Sequence, residues 1–160
     1  LKEAIKKISS SHPIIGRTFD GKPILPSGLT GSISHKYPYV VSFAALNTQV
    51  LSLGIDIERV DNWNYNSSSI FTTHQDFTSF KNLELPFHIY CSILFSAKES
   101  AFKTLNTISN YEGISIKSLS PSISQFSESL YDFSLNVAGF QCIGRISIID
   151  KWVVATCWIL

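Results

Sequence analysis

The 160-residue chain has no methionine, and only 16% of its residues are charged, against about 25% in an average soluble domain. Low charge beside a 44% hydrophobic content excludes a disordered tail and predicts one globular domain with a real core. Thirteen Lys and Arg against twelve Asp and Glu leave a net charge of +1, so there is no broad basic field of the kind that tracks nucleic acid. Any anionic partner must be met locally. No apolar run approaches the roughly 18 residues of a membrane span; the longest, at 40–46 and 89–95, are core-sized. The three cysteines, Cys91, Cys142 and Cys157, are odd in number and lack C-x-x-C spacing. That argues against a disulfide framework or zinc site and for a reducing compartment, the cytoplasm by default. Residues 1–8 are amphipathic, carry Glu3 and have no apolar h-region, so they are not a secretory signal. A chain that lacks Met and opens on Leu1 inside a helical pattern reads as a piece without its N-terminal part, and a trimmed chain would read the same way.

Leu1, Ala4, Ile5 and Ile8 form a helical stripe, stopped by Ser9-Ser10-Ser11-His12-Pro13. Residues 13–31 hold Pro13, Pro23 and Pro26 with Gly16, Gly21, Gly28 and Gly31, which predicts irregular backbone held on a scaffold. β-Branched alternation then predicts strands at 32–35, 39–46 and 50–58, with a turn at Asn47-Thr48-Gln49. Residues 61–85 are rich in Asn, Ser and Thr with scattered aromatics, a pattern for short helices or an ordered excursion. After Pro86 a long helix fits, with Phe87, Tyr90, Leu94, Ala97, Ala101 and Leu105 on one apolar arc. Residues 113–119, 130–137, 140–149 and 152–159 read as strands, with hairpin turns at Ala138-Gly139 and Asp150-Lys151. Antiparallel sheet plus one dominant helix is an α+β arrangement.

Three clusters carry chemistry. In Gly54-Ile55-Asp56-Ile57-Glu58, alternation puts Asp56 and Glu58 on one strand face, roughly 7 Å apart. The pair repels unless a hard cation such as Mg²⁺ relieves it, although alone it also describes two solvated acids on an exposed strand. In Phe95-Ser-Ala-Lys-Glu-Ser-Ala-Phe-Lys103, the wheel gathers Ser92, Ser96, Glu99, Lys103 and Asn106 on a polar face. Alone, Glu99 and Lys103 describe a solvent-side i, i+4 salt bridge worth about 0.3–0.5 kcal/mol. Lys98 stands at the border of the apolar arc, where it either snorkels or turns its ammonium to an anion. The third cluster runs from Asp20 to His35. Its glycines, hydroxyls, Lys22, Ser34 and His35 are equipment for a phosphate pocket, while a lone His at a strand end is also a common structural hydrogen-bonder.

Taken together, P-x-L-P-x-G-L-x-G-S-I-S-H at 23–35, G-I-D-I-E at 54–58 and F-S-A-K-E-S-x-x-K at 95–103 resemble the motif set of the 4′-phosphopantetheinyl transferases. Their order and spacing agree as well, and the likeness is to the enterobactin-synthase-component and surfactin type more than to the small trimeric synthases. The resemblance implies an α+β pseudo-dimer of two similar halves with antiparallel sheets and a long helix, the site lying between them. Residues 1–50 would be the remainder of the first half, and 51–160 the second half with the metal site and long helix. It implies Asp56, Glu58 and Glu99 as Mg²⁺ ligands, with Glu99 also the general base. Lys103 and Lys98 would contact the coenzyme A phosphates, and Lys22, Ser34 and His35 would line the pocket for the 3′-phosphate and pyrophosphate. Leu25 stands where the family often has Trp, and the family's preceding basic segment would lie before Leu1.

The implied reaction is Mg²⁺-dependent transfer of 4′-phosphopantetheine from coenzyme A to a serine of an apo peptidyl, aryl or acyl carrier domain, of siderophore or nonribosomal-peptide type, with release of 3′,5′-ADP. The implied enzyme is a cytoplasmic monomer with no membrane span and no nucleic-acid partner, and part of 60–85 would meet an apolar carrier helix. A metal-dependent nuclease is the first rival, but its Glu and Lys stand two apart on a strand, whereas Glu99 and Lys103 stand four apart on a helix. The second is a non-catalytic remnant that binds coenzyme A or a carrier without turnover.

Overall fold

The computed structural model describes residues 1–8, 15–19, 21–61, 63–108 and 114–160. The helix stop at Ser9–Pro13, Asp20 of the glycine-rich approach and Gly113 lie outside the described residues. The chain runs α1 (Lys2–Lys6), β1 (Gly16–Arg17), β2 (Pro23–Ile24), β3 (Leu29–Lys36), β4 (Tyr39–Leu46) and β5 (Ser52–Arg59). It continues through α2 (Tyr65–Ser68), α3 (Asp76–Phe80) and α4 (Phe87–Ile108). After a 3₁₀ turn at Ile116–Ser118 come β6 (Ser122–Ser127), β7 (Leu130–Val137), β8 (Phe140–Ile149) and β9 (Trp152–Ile159). The α+β expectation holds, with antiparallel sheets and one long helix.

Strands β5–β9 form a five-stranded antiparallel sheet in the order β5-β9-β8-β7-β6. The hairpin β3–β4 is a separate two-stranded sheet, in register from Leu29 opposite Leu46 to Lys36 opposite Tyr39. Helix α4 lies on the larger sheet because its sequence supplies the apolar arc: Tyr90, Leu94, Ala97, Ala101 and Leu105 are fully or almost fully buried. They meet the inward-facing Tyr131, Phe133, Cys142, Ile146, Val153, Ala155 and Cys157 of the sheet in one core. The strand alternation of β9 is regular, every second residue from Val153 to Ile159 being buried. The turn at Ala138-Gly139 has φ of 51° and 84°, the left-handed pair that a two-residue hairpin requires. Among the described residues no helix is long and apolar enough to cross a membrane.

The structure differs from the sequence reading at three places. Strand β3 begins at Leu29, inside the glycine-rich approach. Of the expected strand at 113–119, the described part contains the 3₁₀ turn instead, because Ser115 and Ser118 exchange side-chain bonds with each other's backbone N–H and close a capping box. Strand β6 went unread since only Ile123 of its six residues is buried, so this serine-rich edge has almost no hydrophobic alternation. The excursion at 61–85 does contain two short helices, the first capped by Asn64, whose side chain accepts from Ser67 N.

Candidate functional site

Helix α4 is covered on two sides. Beside its apolar arc, Ser92, Ser96, Ser100 and Thr104 recur every four residues and are all at most 1% exposed. They pack against β5, so Ser92 and Ser96 of the expected polar face stand at an interior contact, while Glu99, Lys103 and Asn106 are half-buried. Gly54 makes the approach possible: a Cβ there would stand 2.1 Å from the Ser100 carbonyl oxygen and 2.7 Å from Thr104 Oγ1. Hydroxyls this deeply buried need partners, and they have them. Ser52 Oγ donates to the Thr104 carbonyl at 2.6 Å, and Thr104 Oγ1 stands 2.9 Å from the Ser100 carbonyl and 3.1 Å from that of Cys157. Strand alternation then delivers Asp56 and Glu58, two and four residues beyond Gly54, to the same side of β5.

Asp56 is the centre of the arrangement, 3% exposed. Its Oδ1 accepts from Lys103 Nζ at 2.7 Å and from Ser34 Oγ at 2.9 Å, and its Oδ2 accepts from Ser96 Oγ at 3.0 Å. The Lys103 ammonium also donates to Ser34 Oγ at 3.0 Å and to the Ile55 carbonyl at 3.2 Å. It therefore spends its charge on Asp56, and among the described residues no salt bridge joins it to Glu99. Glu58 pairs at 2.7 Å with Lys36 at the end of β3, an interaction that raises the lysine above its ordinary value of 10.5. Glu99 is half-buried. Burial pushes its carboxyl upward, the charges of Asp56 and Glu58 push the same way, and Lys103 opposes them.

The charges of Asp56 and Glu58 act on Glu99, so the three carboxylates of β5 and α4 are electrostatic neighbours. Hard oxygen donors of this kind are what Mg²⁺ takes, so the chemistry of the set fits a divalent cation. Lysines at present hold two of the three, and among the described residues no group of three or more His, Cys, Asp or Glu stands in metal-holding geometry.

The other expected site residues divide. Ser34 belongs to the cluster through Asp56 and Lys103. His35, the next residue, is exposed at the end of the same strand. Lys22 is exposed in the β1–β2 turn, its N–H donating to Thr18 Oγ1 at 2.9 Å. Lys98 is not brought to the cluster. Its side chain is 0% exposed, and its ammonium donates to Asp76 Oδ2 and the Phe71 carbonyl, both at 2.8 Å, and to the Lys117 carbonyl at 3.4 Å. A side chain so enclosed neither snorkels nor faces a solvent-borne phosphate. Asp76 in turn accepts from Thr73 N and Thr73 Oγ1 on the same Oδ2.

The excursion's aromatics also turn inward. Phe71 is buried and packs edge-on against Trp63 and Phe95, which leaves Tyr65 and Ile70 as its large exposed apolar side chains. Sequence reasoning missed Lys36 and Asp76. Lys36 stands two residues after Ser34, hence on the same face of β3, a signal that was available. Asp76, in a stretch without periodicity, gave none.

A sequence model of a family described as the 4′-phosphopantetheinyl transferase superfamily matches residues 52–157, from the start of β5 into β9. No curated protein matches the chain. Among solved structures the chain is similar to the holo-[acyl-carrier-protein] synthase (AcpS) of Thermotoga maritima, with a TM-score of 0.46 and 17% sequence identity. That match covers 69% of this chain and 63% of that one, so the chain spans less than two thirds of the relative's length.

Proposed function

The chain belongs to the 4′-phosphopantetheinyl transferase superfamily, and from that premise we propose that it transfers 4′-phosphopantetheine from coenzyme A to the serine hydroxyl of an apo carrier domain, releasing 3′,5′-ADP. The observation that supports this most is the buried Asp56 of β5, held by Lys103 and Ser96 of α4 and by Ser34 of β3, with Glu58 on the same strand face. Asp56, Glu58 and Glu99 would hold Mg²⁺, which when bound supplies positive charge to the pyrophosphate of coenzyme A. Among the described residues no salt bridge reaches Glu99, and its carboxyl is raised by burial, which suits it to accept the serine proton. As that proton moves to Glu99, the serine oxygen bonds to the β-phosphorus and the bond to 3′,5′-ADP breaks. Lys103, held against Ser34 Oγ at 3.0 Å, would supply positive charge to the leaving phosphates. His35 and Lys22, exposed on β3 and the β1–β2 turn, are read as the coenzyme A side of the site. Lys98 is given no phosphate contact.

The finer reading is a cytoplasmic, monomeric enzyme of the enterobactin and surfactin type, divided at about residue 50, that acts on siderophore or nonribosomal-peptide carriers. Tyr65 and Ile70 offer an apolar carrier helix its contact. The test is incubation of the full chain with coenzyme A, Mg²⁺ and an apo peptidyl carrier, read by intact mass. Glu99→Gln should lower turnover by orders of magnitude at saturating coenzyme A, whereas Lys103→Ala should raise the KM for coenzyme A and weaken its salt dependence. If neither variant changes turnover, the assignment is wrong. Coenzyme A binding without any adduct would favour a non-catalytic binder.

A further inference from the structure

Lys36 is outside every motif that marked the site, yet its ammonium lies 2.7 Å from Glu58 Oε2, and the two side chains are 46% and 17% exposed. The charged groups that act on it are Glu58 itself, Asp61 and Asp56. The other lysine of the cluster is placed differently: Lys103 reaches Asp56 along with Ser34 Oγ and the Ile55 carbonyl, and its side chain is only 29% exposed. Lys103 is thus embedded by three acceptors, while Lys36 enters from the solvent end of β3 and spans from the small sheet to the large one. Two ammonium groups from two elements each neutralise one carboxylate, and among the described residues no salt bridge reaches Glu99.

We propose that Lys36 is a built-in counter-cation that competes with a divalent cation for Glu58, so that metal loading requires its ammonium to leave. The proposal rests on the reading of Asp56, Glu58 and Glu99 as cation ligands. Its physical content is an exchange. A carboxylate with a lysine on it cannot give the same oxygen to a metal, and the apparent metal affinity is reduced by the fraction of sites in which the pair is formed. Because the pair is half in solvent its strength is small, so it restrains loading without blocking it. With this pair and the Lys103–Asp56 pair both intact, the metal-free site avoids the repulsion of three bare carboxylates.

The experiment uses Mn²⁺ alone as the probe, titrated into the full chain without coenzyme A, with free Mn²⁺ read by electron paramagnetic resonance. Lys36→Met should bind Mn²⁺ about three- to fivefold more tightly than wild type, the factor expected for release of one exposed ion pair. Lys36→Arg, which keeps the charge, should bind as wild type does. Glu58→Gln should bind more weakly, and adding Lys36→Met to it should bring no tightening. Equal or weaker affinity in Lys36→Met, or the same tightening with Glu58 already replaced, overturns the exchange while leaving the ligand set standing. If neither wild type nor Lys36→Met takes up Mn²⁺ at millimolar concentration, the ligand reading itself fails and the exchange falls with it. Melting curves of each variant without metal confirm that folded protein is compared, and Lys36→Gln replaces Lys36→Met if the latter melts early.

Discussion

Lys98→Met and Asp76→Asn, made singly and together, test whether the lysine of the K-E motif binds the excursion to α4 or a phosphate. Both side chains are 0% exposed and their charged atoms are 2.8 Å apart. Removing one partner of a buried pair strands the other's charge, which costs about 3–5 kcal/mol, a large share of the roughly 5–15 kcal/mol that holds a domain folded. Lys98→Met keeps an unbranched stem of similar length, so its loss reports the charge more than a cavity. Asp76→Asn keeps an oxygen at the position that Thr73 and Lys98 share but leaves the ammonium without that counter-charge. The double variant contains neither charge, and its loss should fall short of the summed single losses by about 2 kcal/mol or more.

Burial already lowers Lys98 from its ordinary value of 10.5, with Asp76 opposing. In Asp76→Asn that opposition is gone, so the unfolded chain binds the lysine proton more tightly than the folded one. Stability then rises with pH until both states have lost the proton, and the deficit against wild type narrows on approach to pH 10.5. Urea unfolding followed by circular dichroism across pH gives all of these numbers. Additive single losses, or single losses under about 1 kcal/mol, would refute the buried-pair reasoning. A Lys98→Met variant of unchanged stability but weakened coenzyme A affinity would return Lys98 to the phosphates.

Gly54→Ala forces a Cβ to within 2.1 Å of the Ser100 carbonyl oxygen. Neither backbone can yield cheaply, so a loss of about 3 kcal/mol, or a Tm drop on the order of 6–12 °C, is expected in thermal melts. A drop under about 2 °C would show that strand and helix are not held so close. In metal-free protein with chelator present, the raised Glu99 carboxyl means that the folded state binds more protons than the unfolded one above the ordinary value of 4.5. Stability contributed by this group is therefore lost as pH rises from there through the folded value. Glu99→Gln should flatten that decline in pH-dependent urea melts, and an unchanged slope would mean that Glu99 is not in the field of Asp56 and Glu58.

Much of this was legible where one period dominates. The apolar arc of α4 and the alternation of β7, β8 and β9 each commit a whole face to one core, so periodicity alone carries them. The D-x-E pair was readable for the same reason, since alternation puts Asp56 and Glu58 together whatever the rest of the fold does. Strand β6 was not readable, because a serine-rich edge with one buried residue has no period to detect. Nor was the burial of the Ser92, Ser96, Ser100 and Thr104 stripe. Small hydroxyl side chains that look solvent-facing on a wheel are also those that let a strand backbone come close, and only Gly54 on the strand distinguishes the two cases.

The choice of partners is a different kind of information, and α4 shows why sequence supplies it incompletely. Lys98 and Lys103 are five residues apart, which at about 100° per residue turns their side chains roughly 140° from each other. The two lysines of this motif accordingly meet different partners, Asp76 and Asp56. Lys103 and Glu99, four apart, share the side that meets β5, and Lys98 points to the side covered by the excursion. The wheel gave that divergence, but not what waited on each side. Asp56 could be placed at the site because it lay in a strand with its own period, although its pairing with Lys103 was not read. Asp76 could not be named for Lys98, since it sits at the start of a five-residue helix in an aperiodic stretch. A helix face fixes direction from local sequence, whereas the group it meets is fixed by topology. An ionisable residue predicted at the edge of an apolar arc is thus better read first as one half of a buried pair whose other half lies in the least regular nearby segment.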